Sequence, residues 1–119
     1  MYLTYHMKED VLVVHIHSEV LDLHVVREFK EEIGRLEQAA STNDWVIDLS
    51  EVTFLDCGGI VFFLALHDKL KRRGGGLALS SPDSSVRAVL ELLSLQKELP
   101  LFDSLNEAVM SIERKHARV

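Results

Sequence analysis

Residues Val46 to Gly59, VIDLSEVTFLDCGG, decide how the rest of the chain reads. The apolar, β-branched run Trp45 to Leu49 predicts a buried strand. After a loop carrying Ser50 and Thr53, the chain turns at Asp56 through Cys57, Gly58 and Gly59 into an apolar helix reaching Arg73. Backbone N–H groups converge at such a helix start, so a phosphate, a small ligand or a partner surface could dock there. Asp56 is placed to cap that helix, and Asp48 to satisfy turn amides where the strand ends. Read as paired carboxylates or metal ligands instead, the two lack a third ligand or a partner base at helical spacing.

Strands and helices alternate outward from this segment. Upstream, Tyr2 to Met7 and Val11 to His17 are β-prone runs joined by Glu9-Asp10, which predicts an antiparallel hairpin. In the second run Leu12, Val14 and Ile16 share one face, and Val11, Val13, His15 and His17 the other. Leu21 to Ala40 has helical spacing through Val25 or Val26, Phe29, Ile33 and Leu36, with Asp22 placed as a cap or first-turn carboxylate. Downstream, Gly74 to Gly76 stop the central helix and Leu77 to Leu79 form a strand. That glycine run leaves a helix and enters a strand, so it is a cap and turn, not a phosphate cradle. Pro82 and Asp83 open a third helix with Val86, Val89, Leu90 and Leu93 as its stripe. An extended segment, Leu99 to Phe102, precedes a last helix capped by Asp103 or Ser104, with Glu107 in its first turn and Leu105, Ala108, Val109 and Ile112 on one face. The tail Arg114 to Val119 is expected to fray. The order β-β-α-β-α-β-α-β-α implies an α/β sheet with parallel crossovers, begun by a hairpin, in one domain over residues 1–119.

Composition narrows the function classes. A chain of 119 residues can bury about two thirds of its unfolded surface, enough for an ordinary core. Net charge is −6, from 13 Lys and Arg against 19 Asp and Glu, which opposes binding to nucleic acid or anionic lipid. The start shows no basic segment leading into an apolar run, and no stretch approaches the length of a membrane span. With Cys57 as the single cysteine, no internal disulfide can form, and a cytoplasmic setting is expected.

Three features invite chemistry. Cys57 at a helix start could be a nucleophile or redox sensor, but no His or Arg follows in the next turn, and filling space is its simpler role. His6, His15 and His17 fall on facing hairpin strands, where a surface metal site is geometrically possible; a solvent-facing sheet surface is the plainer expectation. The helix after Gly59 is apolar over more than half its girth. If Ile60, Phe63, Leu64 and His67 face the sheet, then Val61, Phe62, Leu66 and Leu70 cannot all do so, which leaves room for a partner patch around Phe62.

The residues together resemble the STAS-domain family, of the bacterial anti-sigma factor antagonist type. The likeness rests on IDLSEVTFLDCGG at Ile47 to Gly59, set against the family's Asp-Leu-Ser, apolar residues, then Asp-Ser-Ser-Gly. It continues through the helix to Arg73, through GGGLALSS, through VRAVLELLSLQKELPLFDSLNEAV, and in Leu21-Asp22. The resemblance implies a four- or five-stranded mixed sheet with helices mainly on one face. It also implies a non-catalytic regulator, needing no cofactor, that binds an anti-sigma factor of the serine-kinase type or another regulatory protein.

In the family the kinase phosphorylates the second serine of the motif and so abolishes docking. Carried over, Asp56 matches the motif's Asp, Cys57 its first serine, Gly58 the phosphoacceptor and Gly59 its glycine. Gly58 has no oxygen, so the switch is expected to be lost while the platform of Asp22, Thr53, Asp56, Cys57, Gly58, Gly59 and Phe62 remains for a partner. Ser50, Thr53 or Cys57 could supply replacement regulation. Other expectations of the same residues are a scaffold subunit of a lipid transporter or stress-signalling complex, nucleotide binding at the helix start, and a small thiol enzyme using Cys57.

Overall fold

The hairpin expected at the start forms, with β1 (Leu3–Lys8) antiparallel to β2 (Val11–Ile16) and Glu9 turning the chain at φ +56°. The computed structural model describes residues 2–117. After β2 come a two-residue strand β3 (Val20–Leu21), helix α1 (Leu23–Ala39), β4 (Asp44–Asp48) and a second two-residue strand β5 (Phe54–Leu55). Helix α2 (Cys57–Arg72), β6 (Gly76–Ser80), α3 (Ser84–Leu92), a 3-10 turn at Leu95–Lys97, β7 (Leu101–Phe102) and α4 (Leu105–Ala117) follow. Five strands make one mixed sheet in the order β1-β2-β4-β6-β7, with every pair after the hairpin parallel.

Each parallel step moves the same way across the sheet, so right-handed crossovers carry α1, α2 and α3 to one face. There Leu12, Val14, Trp45, Ile47, Leu77 and Leu79 meet Phe29 and Ile33 of α1, Phe63 and Leu66 of α2, and Leu90 of α3 in a single cluster. Helix α4 follows the last strand and folds onto the other face, where Ala108 and Val109 cover Val11, Val13, Val46 and Ala78. The solvent-facing surface expected around His6, His15 and His17 is confined to one end of the face that His15 and His17 share with Val11 and Val13. The valines are sealed under α4, and only the histidine end of that row reaches solvent.

Other boundaries shift for local reasons. Leu21 belongs to β3 and Asp22 caps α1 with its carboxylate, which accepts from Val25 N at 3.0 Å. Leu93 leaves the apolar stripe of α3; it is the C-cap and is 53% exposed. Ser104, not Asp103, supplies the side-chain cap of α4, accepting from Glu107 N at 3.2 Å. Helix α4 continues through Arg114 to Ala117, against the expected fraying; residues 118 and 119 of that tail lie outside the described residues. The turn after α2 is as expected, with Gly74 at φ +89° closing the helix.

Candidate functional site

The site is built from two copies of one local arrangement. Val20-Leu21-Asp22-Leu23 and Phe54-Leu55-Asp56-Cys57 each run strand, capping aspartate, helix. β3 and β5 pair in parallel, Val20 beside Phe54 and Leu21 beside Leu55, so α1 and α2 start side by side. Leu21 and Leu55 turn into the core, while Val20 and Phe54 remain 38% and 54% exposed. The arrangement is fastened by Thr53 N and Phe54 N, which both donate to Glu19 O, and by Asp56 N donating to Leu21 O.

Glycine makes the two helix starts meet. A Cβ on Gly58 would stand 2.7 Å from Leu23 N and 2.8 Å from Leu23 Cα, and one on Gly59 would stand 2.7 Å from Leu21 O. These neighbours are backbone atoms, so neither position accepts a side chain without moving α1 or β3.

The cap expected of Asp56 forms, and it takes up amides that a ligand at this helix start would need. Asp56 Oδ1 accepts from Gly58 N at 2.8 Å and from Gly59 N at 3.2 Å, and Ile60 N donates to Asp56 O. The helix start is already occupied by its own carboxylate, whose negative charge opposes an incoming phosphate or nucleotide. Asp22 is likewise engaged by α1.

Each sequence-derived candidate has a definite place. Cys57 is exposed, so it fills no space, contrary to the role expected of it. Thr53 is exposed at the ribbon; its hydroxyl donates to Glu19 O at 3.3 Å, and its carbonyl accepts from Ser85 Oγ at 2.8 Å. Ser50 lies at the end of β4 and donates to Asp48 Oδ2 at 3.2 Å. Phe62 is half-buried and meets Phe29 edge-on, with ring centroids 5.2 Å apart. It therefore carries packing between α1 and α2, and the exposed residue beside it is Val61, at 63%. The division of α2 is also corrected: Ile60, Phe63, Leu66 and Leu70 are buried, whereas Leu64 and His67 are half-buried.

Val20, Leu23 and Phe54 were missed in the sequence: Val20 and Phe54 stand side by side on the ribbon, and Leu23 and Val61 line one groove below it, all four exposed. Two-residue strands carry no periodicity to read. The repeated apolar-Leu-Asp unit at Val20–Asp22 and Phe54–Asp56 was the available signal.

The opposite face of the same sheet end is polar. His15 Nδ1 lies 2.7 Å from Asp48 Oδ2 and donates to it, and His15 Nε2 lies 3.2 Å from His6 Nδ1. His17 bridges Glu51 Oε2 at 2.5 Å and Thr4 Oγ1 at 2.6 Å. Asp48 Oδ1 also accepts from Ser50 N at 3.0 Å, the turn role expected of it. Among the described residues, no group of three or more His, Cys, Asp or Glu is placed to hold a metal ion. Nor is any helix among them long and apolar enough to cross a membrane.

The comparisons with known proteins agree with this architecture. The profile described as STAS domain matches residues 2–108. An anti-sigma F factor antagonist of Paenibacillus polymyxa is 24% identical over 103 residues, covering 87% of each chain. The crystal structure of an anti-sigma factor antagonist from Mycobacterium paratuberculosis superposes with a TM-score of 0.80 at 27% identity, covering 93% of this chain and 92% of that one. A sulfate transporter family protein from Wolinella succinogenes shares the fold, with a TM-score of 0.73 at 18% identity over 90% of this chain and 88% of its own.

Proposed function

The chain belongs to the STAS domain family, as a regulatory module and not an enzyme, and on that premise we propose that the paired helix starts are its docking face for a protein partner. The partner is an anti-sigma factor of the serine-kinase type or a comparable regulatory protein, met in the cytoplasm. The observation that carries this reading is the exposed quartet Val20, Leu23, Phe54 and Val61, gathered over two capped helix starts. Apolar groups held in water on a rigid frame favour a partner that covers them.

Docking at this face proceeds without the serine switch. Residue 58 has no hydroxyl, and the space its side chain would take is filled by the backbone of Leu23. A phosphate on that position would add about −1.5 to −2 charge beside Asp56 and Asp22. Without it the face stays in one state, and control passes to partner supply.

Affinity capture from the native cell with three forms of the chain tests the reading. Wild type and Tyr5→Asp, altered on an exposed apolar residue of β1, should retain one stoichiometric partner, and Phe54→Asp should lose it. Loss with Tyr5→Asp and retention with Phe54→Asp would move the docking face to the hairpin and end the proposal.

A further inference from the structure

From the docking tip an open groove of about 520 Å³ runs down between α1 and α2. Its floor is apolar, formed by Val26, Ile33, Phe62 and Leu66, and its upper rim carries the exposed Leu23 and Val61. The remaining rim is cationic in a chain of net charge −6: Arg27, Lys30 and Lys69 line it against one carboxylate, Glu37. Glu37 is already committed, with Lys69 Nζ and an Arg73 nitrogen each 3.7 Å from its oxygens. Arg27 and Lys30 are exposed on α1 and have no ion-pair or hydrogen-bond partner among the described residues.

The middle of the groove is held open by a missing side chain. Gly34 sits inside α1, and a Cβ built on it meets nothing within 4 Å. Alanine fits there and is the better helix former, so nothing in the fold asks for glycine. Ala65 on α2 also lines the groove.

We infer that this groove receives an acidic amphipathic helix of the protein partner, laid between α1 and α2 with its apolar face on Phe62 and Leu66 and its carboxylates on Arg27 and Lys30. The inference deepens the proposed docking function and rests on it. Three observations select this occupant. The groove borders α1 from Leu23 to Glu37, about 21 Å at helical rise, which matches a segment of about four turns. Two adjacent helices offer ridges between which a third can lie, as in helix-in-groove recognition. The unpaired cations select for acid, and they disfavour a second copy of this chain, because a symmetric contact through one groove sets Arg27 and Lys30 against their own equivalents. An acyl chain would find the groove open along its length, with exposed residues on both rims.

The test is an NMR titration of the full chain with an 18-residue peptide bearing leucines on one helical face and glutamates on the other. A second peptide carries lysines in place of the glutamates. The acidic peptide should shift the amides of Gly34, Val61 and Ala65, and the lysine peptide should leave them unmoved. Arg27→Glu/Lys30→Glu should weaken the acidic peptide at least tenfold, and Gly34→Leu should block it while the melting temperature holds or rises. Equal binding of both peptides, shifts confined to other surfaces, displacement of the acidic peptide by dodecanoate, or dimerisation through this face would each overturn the inference. Native capture separates the two claims: a partner lost with Phe54→Asp but kept with Arg27→Glu/Lys30→Glu leaves the docking tip standing and removes the groove.

Discussion

The two faces at the carboxyl end of the parallel strands solve opposite problems. On the α4 face, exposed and half-buried polar groups answer one another: His6, His15 and Asp48 form one chain, and Thr4, His17 and Glu51 another. On the α1–α2 face, Val20, Leu23, Phe54 and Val61 stand in water by the capped helix starts, and Arg27 and Lys30 have no ion-pair partner among the described residues. The first surface is complete without a partner. The second, on the proposed reading, is completed by one. Exposure alone therefore says little about function; what distinguishes a docking face is exposed groups whose own protein leaves them unanswered.

Crowding the helix starts should cost the most. Gly58→Ser should destabilise the chain by about 1–3 kcal/mol, because the new Cβ meets the backbone of Leu23 and α1 must move. Urea unfolding measures it, and an unchanged midpoint would mean the two helix starts are not in contact as described. Next, His15→Ala should cost about 1 kcal/mol by removing a donor to Asp48, yet leave partner capture intact. Lost capture there would make the polar face a binding surface and erase the contrast.

Gly34→Ala should gain about 0.5–1 kcal/mol, since the added methyl meets no neighbour and alanine favours the helix. A loss of stability would show that the groove is narrower than described. His67 lies away from both faces, where Leu77 N donates to its Nδ1 at 3.3 Å. Burial first, then the charges of Lys71 and Lys115, hold its pKa below the usual imidazole value. The unfolded chain then binds the proton more readily, so the contribution of His67 is present above about pH 6.5 and fades as pH falls through that value. The melting temperature of wild type should drop between pH 7 and pH 5 by more than that of His67→Leu.

Much of the fold was legible because each long element carries a period. The stripe Val25, Phe29, Ile33, Leu36 marked α1, and Trp45 to Leu49 marked the central strand. The caps at Asp22 and Asp56 were readable for the same local reason, a short acid just ahead of an apolar helix. The site was less so. β3 and β5 are two residues long, and their pairing joins positions 34 apart that no local pattern connects. The place of α4 was hidden as well, because Val11 and Val13 alternate with a buried set whether or not a helix covers them. Glycine at 58 could be read as a missing hydroxyl, but its close approach to Leu23 is a property of the assembled helices.

The central claim is that the paired helix starts form a docking face with no phosphate control. Intact-mass spectrometry of the native chain, isolated from its own cells in free and partner-bound pools, tests it most directly. One unmodified mass is expected in both pools. A single stoichiometric phosphate at Ser50 or Thr53, present in the free pool and absent from the bound one, would contradict it.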